Sequence, residues 1–239
     1  ELRLRRGLSV ILGDVGTGKT TLSRKLFQML KERDDIIFHM ILDPTYDTEE
    51  LFLDSLIRTF DITIDKPKPT VLDFKEAIKN YLFKKGMEEK KTVVLLIDEG
   101  QKLNPLSLEA LRVFLNYETN EYKLLQLVLL AQMELLPKIR NIPNLWDRIS
   151  LKYVLNPLDE YETREMIDFR LKKAGLRSSA PFFTPDAVKE IYQYTQGYPR
   201  RIAMICHNAL KELVMSSQPL VDAGVIRKLV AAESKIAAH

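Results

Sequence analysis

Short apolar runs alternate with longer segments of helical periodicity over the first two thirds of the chain. Five runs are short and mostly apolar and predict buried β-strands, at 8–12, 36–42, 92–98, 124–131 and 150–157. The segments between them predict helices at about 18–33, 47–60, 71–85 and 105–119, with 133–149 helical or irregular. The strand at 92–98 is uniformly apolar, so we expect it to be a central strand of the sheet. This alternation is typical of an α/β fold, a parallel sheet covered on both faces by helices.

The strand signal disappears after residue 157. The segments that follow are amphipathic, with caps or breakers between them. Thr184 and Pro185 are one such pair, because threonine is a preferred helix cap and proline is favoured in the first turn. The sequence therefore predicts two domains, an α/β domain over 1–156 and a small all-helical domain over 157–239.

Composition narrows the class of protein without identifying a partner. The chain has 239 residues, 46% of them hydrophobic, which is enough for a large core. Its net charge of +3 is too small to indicate nucleic-acid binding by itself. The single cysteine, Cys206, excludes an internal disulfide, fits a cytoplasmic location and has apolar neighbours that predict a buried side chain. No apolar run reaches the roughly 18–20 residues of a membrane span, and we expect the natural protein to continue before Glu1.

A glycine-rich stretch directly follows the first predicted strand. Residues 13–20 read GDVGTGKT and fit the pattern G-x-x-x-x-G-K-[ST] between a strand and a helix. The glycines allow backbone N–H groups to surround phosphate oxygens, Lys19 can pair with the outer phosphates, and Thr20 can bind Mg²⁺. The residues expected to contact the nucleotide are Gly13, Asp14, Val15, Gly16, Thr17, Gly18, Lys19, Thr20 and Thr21. An ordinary glycine-rich turn needs neither the lysine nor the threonine.

Two consecutive carboxylates follow the strand at 92–98. Asp98 leaves the C-terminal edge of that strand, where ligands bind in open parallel sheets, and can hold Mg²⁺. Glu99 is then placed to orient or deprotonate the attacking water. Two carboxylates that cap the next helix are the structural alternative. Together with the phosphate loop, the pair favours hydrolysis of the nucleotide over storage.

Three further polar residues are candidates whose spacing leaves two interpretations open. Arg148 precedes the last strand and Arg200 begins a helix of the small domain, where either could stabilise the γ-phosphate in the transition state or form a surface salt bridge. Gln132 ends the strand at 124–131 and could contact the γ-phosphate or make local hydrogen bonds.

The motifs resemble those of AAA+ ATPases and, within that class, of the ExeA family, also called general secretion pathway protein A. The likeness covers nearly the whole chain and rests on the stretches 13–22, 95–103, 115–135, 147–163 and 183–202. The first two stretches are common to the class, whereas the strand that ends in AQMEL and the turn GYPRR are more specific to the family. The resemblance implies a P-loop sheet domain followed by a helical lid.

The resemblance also implies roles for residues that spacing alone leaves open. Gln132 matches the sensor-1 region, Arg148 the arginine-finger region that acts on a neighbouring subunit, and Arg200, after Pro199, the sensor-2 arginine. The implied cofactors are ATP and Mg²⁺. Where the family usually has alanine, this chain has Gly100, a small change that we expect to leave Asp98 and Glu99 in place.

Two biological roles are compatible with the resemblance. The leading hypothesis is a bacterial cytoplasmic ATPase module that self-assembles under nucleotide control and serves a secretion, pilus or polysaccharide machine, with an inner-membrane partner or tether but no insertion of this stretch into the membrane. The alternative is an ATP-dependent, DNA-binding regulator of transposition of the TniB/TnsC type. A nucleotide switch with negligible turnover is a third interpretation.

Overall fold

The computed structural model describes residues 2–176, 181–216 and 218–237. The chain divides into two compact units. The first unit comprises Glu1–Val15 and Lys19–Leu155, and the second comprises Gly16–Gly18 and Asn156–His239. The short glycine-rich segment thus groups with the C-terminal part of the chain, which the sequence pattern does not indicate.

The first unit is built on a sheet of five parallel strands. The strands are β1 (Leu8–Gly13), β2 (Ile36–Ile41), β3 (Thr92–Ile97), β4 (Leu125–Ala131) and β5 (Ile149–Leu155). They lie in the order β2-β3-β4-β1-β5. The predicted parallel α/β class is confirmed. The expected central position of β3 is confirmed, since this fully buried strand lies between β2 and β4.

Alternate residues of the inner strands enter two separate cores. On one face Val93, Leu95 and Ile97 of β3 join the large core formed with the following helices. On the other face Val94 and Leu96 lie in a smaller core. Because both faces are covered, these strands are apolar at nearly every position instead of alternating, which explains the long apolar runs in the sequence.

Helices of the first unit cover both faces of the sheet. They are α1 (Lys19–Leu30), α2 (Glu49–Thr59), α3 (Val71–Phe83), α4 (Pro105–Phe114), α5 (Leu135–Arg140) and α6 (Pro143–Trp146). The prediction of a helix up to residue 119 is wrong, because α4 ends at Phe114 and the chain then turns back through an antiparallel bridge between Glu118 and Lys123. The periodicity continues past Phe114 only because Leu115 and Tyr117 also pack on the core.

The second unit contains α7 (Glu160–Lys173), α8 (Pro185–Thr195), α9 (Pro199–Ser216) and α10 (Ala223–Ala237) around its own apolar core. Thr184 caps α8 as predicted, since its hydroxyl accepts from the Ala187 N–H. The residue Cys206 on α9 is half-buried as a whole. Burial of its thiol raises the pKa of that group to about 12, so the thiol stays protonated. Across the described residues, no helix combines the length and apolar character needed to cross a membrane.

Gly197 closes the turn between α8 and α9. Its φ is +74°, in the left-handed region, and a Cβ there would lie 1.8 Å from the Leu158 carbonyl oxygen. That backbone approach also carries a hydrogen bond, because the Leu158 N–H donates to the Gly197 carbonyl at 2.9 Å. The turn therefore fixes where Pro199 and Arg200 begin the next helix.

We expect Gly197→Ala to destabilise the protein by about 2–4 kcal/mol, the combined effect of a strained φ and a backbone clash. Chemical denaturation followed by far-UV circular dichroism measures this change. Gly175→Ala is the matched control, since Gly175 also has a positive φ, +99°, but a Cβ there meets nothing within 4 Å. Equal losses for the two variants would contradict the packing argument.

Candidate functional site

The turn between β1 and α1 has the backbone of a phosphate-binding loop. Gly16 has a φ of +87° and Gly18 a φ of +105°, both in the region that favours glycine. A Cβ on Gly18 would meet nothing within 4 Å, so its backbone conformation, not a lack of space, calls for glycine. A turn of this kind directs successive N–H groups towards one point, the arrangement that binds anions.

Lys19, the first residue of α1, is buried, with 7% of its surface exposed. Its Nζ donates to the carbonyls of Gly13, at 2.7 Å, and Asp14, at 3.0 Å. Both acceptors are neutral backbone groups that belong to the loop itself. The ammonium is thus positioned by the loop while its positive charge stays available to an anion.

Asp98 directly follows β3 and is 4% exposed. Burial raises the pKa of its carboxyl group, and the charge of Glu99 adds to this, whereas the Glu99 N–H and the charge of Lys19 act in the opposite direction. The Glu99 N–H donates to Oδ1 at 2.9 Å. A desolvated carboxylate whose charge is poorly compensated fits a cation with oxygen ligands such as Mg²⁺, with the exposed hydroxyl residue Thr20 as the second candidate ligand.

The raised pKa of Asp98 predicts a stability effect in metal-free buffer. A carboxyl group with a raised pKa stabilises the fold below its ordinary pKa of 3.8, and this contribution is lost as the pH rises through the raised value. Asp98→Asn, neutral at every pH, should therefore unfold at a higher temperature than wild type near pH 7, and the difference should shrink towards pH 4. Thermal unfolding at several pH values, with exposed Asp65→Asn as control, measures it; a pH-independent difference would contradict the assignment.

Glu99 has an unusual backbone conformation for a non-glycine residue. Its φ and ψ are 53° and 34°, in the left-handed region, which costs about 1 kcal/mol or more. Its half-buried side chain accepts a hydrogen bond at Oε2 from Gln101 Nε2 at 2.7 Å. Such strain persists where the surrounding structure holds it, and it clusters at functional sites.

Strand pairing brings the ends of β1, β4 and β3 side by side. Leu12 pairs with Ala131, and Ile97 pairs with Leu129, so Asp14 after β1, Gln132 after β4 and Asp98 after β3 lie at the same edge of the sheet. The backbone N–H of Gln132 donates to Gln101 Oε1 at 3.1 Å. These sequence-predicted positions of the first unit therefore share the edge at which ligands bind in open parallel sheets.

Arg148 lies immediately before β5, the strand that pairs with β1. The side chain is half-buried, and its Nε is buried without a hydrogen-bond partner among the described residues. A buried donor without an acceptor costs about 1–3 kcal/mol, so the Nε of Arg148 lowers the stability of this conformation of the side chain.

Arg200 belongs to the second unit, at the start of α9. Its backbone N–H donates to the carbonyl of Gly16 at 3.3 Å, and the residue is exposed. Because Gly16 groups with this unit, the contact is internal to it. It links the Arg200 backbone to one glycine of the phosphate-binding pattern.

The sequence interpretation missed two residues of this edge, Gln101 and Lys138. Gln101 lies two residues after Glu99, in the stretch 95–103, but the motif assigns it no role. Lys138 on α5 donates its Nζ to the backbone carbonyls of Gln101 and, at 3.1 Å, Leu103. The one signal for Gln101 in the sequence is its proximity to the carboxylate pair.

Comparison with known proteins gives a family and several relatives. A family model described as an AAA domain, AAA_22, matches residues 3–139, more than half of the chain. General secretion pathway protein A of Aeromonas hydrophila is 39% identical over 206 residues, which are 85% of this chain and 36% of that protein. The resemblance inferred from the motifs is thereby confirmed, although the chain spans little more than a third of that relative.

Solved structures share the fold at low identity. The ORC2 protein of Aeropyrum pernix, in ADPNP and ADP complexes, superposes with a TM-score of 0.67 at 20% identity. The superposition covers 95% of this chain and 62% of the ORC2 chain. RuvB of Thermotoga maritima, a Holliday junction branch migration motor, gives a TM-score of 0.60 at 15% identity over 94% of this chain and 61% of that one. These similarities establish the fold.

Proposed function

The chain belongs to the AAA_22 family of AAA domains, and from this premise we propose that it binds ATP with Mg²⁺ and hydrolyses it to ADP and phosphate. One observation carries the proposal. Lys19, whose buried ammonium donates to the loop carbonyls at 2.7 and 3.0 Å, follows β1, and the pair Asp98 and Glu99 follows β3. Both strands end at the same edge of the sheet. A phosphate-binding cation beside a metal-binding carboxylate and a base is the set of groups that phosphoryl transfer to water requires.

Each residue has a distinct task in the proposed reaction. Lys19 and the loop N–H groups bind the β- and γ-phosphates, and Thr20 and Asp98 would hold Mg²⁺, which when bound neutralises charge on the phosphate oxygens. Glu99 orients a water and accepts its proton as the water oxygen bonds to the γ-phosphorus. The bond from that phosphorus to the bridging oxygen breaks, and ADP leaves with the electron pair.

We further propose that nucleotide controls self-assembly. The position of Arg148 directly before β5, the strand that pairs with β1, supports a role as an arginine finger towards the γ-phosphate in a neighbouring copy, and the position of Arg200 in the GYPRR turn at the start of α9 supports a sensor-2 role. Gln132, beside the loop at the end of β4, is the proposed sensor 1. The 39% identity to general secretion pathway protein A supports service to a bacterial cell-envelope machine, with an inner-membrane partner of that machine.

Activity as a function of protein concentration tests the assembly proposal. We expect the phosphate released per subunit to rise with concentration in wild type and to stay low at all concentrations for Arg148→Ala. Mixing that variant with Glu99→Gln should partly restore turnover, because each supplies the group that the other lacks at a shared interface. Arg140→Ala, an exposed arginine of α5, is the control. Specific activity independent of concentration would contradict a finger supplied by a second copy.

The alternative function, an ATP-dependent DNA-binding regulator of transposition, makes a separate prediction. It requires duplex DNA to be retained by the protein with ATP at moderate salt and released without nucleotide. The fold similarity to RuvB is the observation in its favour. Retention of DNA that depends on ATP would move the proposal from the cell envelope to this alternative while leaving the proposed hydrolysis intact.

A further inference from the structure

Gln101 makes two side-chain hydrogen bonds that join separate parts of the sheet edge. Its amide nitrogen, Nε2, donates to Glu99 Oε2 at 2.7 Å, and its amide oxygen, Oε1, accepts from the backbone N–H of Gln132 at 3.1 Å. One carboxylate oxygen of Glu99 is thus held by the amide, which leaves Oε1 as the oxygen that can face a water. The carboxamide of glutamine offers a donor and an acceptor on one planar group, and Gln101 uses both.

The backbone on which Gln101 stands is fixed from two sides. Lys138 donates its Nζ to the carbonyls of Gln101 and Leu103, which ties this turn to α5. On the other side, Gly100 packs against the end of β4, where a Cβ would lie 3.3 Å from the Leu130 carbonyl oxygen and 3.4 Å from the Ala131 Cβ. The turn therefore has little room to shift, and its geometry is passed to the Gln101 side chain.

Glu99 needs such support because its own backbone is strained. With φ at 53°, the residue occupies a conformation that a non-glycine residue leaves easily. The Nε2 of Gln101 donates to the Glu99 carboxylate and restrains that side chain. The Oε1 of Gln101 accepts from the backbone N–H of Gln132. A single amide therefore connects the Glu99 carboxylate to the backbone at the end of β4.

We propose that Gln101 is a positioning residue for hydrolysis, which orients the Glu99 carboxylate towards water and ties it to the proposed sensor position at Gln132. The inference rests on the proposed role of Glu99. In the proposed mechanism Gln101 contacts neither nucleotide nor water; it acts through Glu99. Its loss should consequently reduce the rate of the chemical step and leave ATP binding unchanged.

Gln101→Met tests the inference, since methionine keeps the length of the side chain and removes both the donor and the acceptor. We expect kcat to fall about tenfold or more, as for a modest misplacement of a catalytic group, with KM and the ATP dissociation constant unchanged. Gln28→Met, on the exposed side of α1, is the matched control with unchanged kcat. Thermal unfolding of both variants shows whether a lower kcat merely follows partial unfolding.

A double-variant cycle separates positioning from a structural effect. In the Glu99→Gln background, Gln101→Met should lower the residual single-turnover rate by less than about twofold, because the group that it positions is already inactive. Unchanged or increased kcat in Gln101→Met, a change confined to KM, or the same fold-loss in both backgrounds would each overturn the inference. Absence of ATP hydrolysis by wild type would instead overturn the proposed function, and the inference with it.

Discussion

Glu99→Gln is expected to reduce ATP turnover by about 10²–10³-fold, a typical range for the loss of a general base. The amide has the size of the carboxylate but accepts no proton and carries no charge to polarise the attacking water. It can still accept the hydrogen bond from Gln101 Nε2, so the turn should keep its geometry. Phosphate release under saturating ATP measures the turnover.

ATP binding distinguishes this effect from a damaged site. The proposed role of Glu99 is towards water and not towards the phosphates, so the ATP dissociation constant should change by less than about threefold, about 0.6 kcal/mol. Glu50→Gln, an exposed glutamate in the first turn of α2, is the matched control and should hydrolyse ATP like wild type. Unchanged turnover in Glu99→Gln would remove the water-orienting role from this residue.

Lys19→Met should weaken ATP binding about 100-fold or more, equivalent to about 2.7 kcal/mol. Lys19 provides the buried positive charge of the loop, and charge-assisted hydrogen bonds to phosphate are among the strongest polar contacts in proteins. Isothermal titration calorimetry with ATP and Mg²⁺ measures the change. Lys25→Met, at an exposed position of the same helix, controls for the loss of one positive charge and should bind ATP like wild type.

The same substitution has a smaller effect on stability. Without the ammonium, the carbonyls of Gly13 and Asp14 lose one hydrogen bond each, and a net contribution of about 1 kcal/mol per bond predicts a modest fall in the unfolding temperature. A variant that unfolds slightly earlier yet binds ATP as tightly as wild type would show that the nucleotide does not use this loop.

The sheet could be predicted from the sequence because strands that are buried on both faces have continuous apolar runs. Val93, Val94, Leu95 and Leu96 are all apolar, since successive side chains enter different cores. The order of the strands has no comparable pattern in the sequence. The apolar run of β3 predicts an interior strand with a neighbour on each side, which is correct, but it does not indicate that these neighbours are β2 and β4.

The candidate site was predictable where the motif fixes both residue type and backbone. The glycines of the loop require positive φ, and Lys19 and Thr20 stand at set distances from them. Gln101 was not predictable in this way. Its contact with Glu99 depends on a left-handed turn at a glutamate, and its contact with Gln132 depends on the pairing of β3 with β4. Neither is encoded by residues near Gln101 in a form that a pattern can detect.

A single-turnover reaction tests the central claim most directly. Radiolabelled ATP, with Mg²⁺ and an excess of protein, should be converted fully to ADP and phosphate by wild type, and should stay bound and intact on Glu99→Gln over the same period. Excess protein also favours any subunit contact that the reaction requires. Recovery of intact ATP from wild type, under conditions in which the nucleotide is demonstrably bound, would contradict the proposed hydrolysis and identify the protein as a nucleotide switch without turnover.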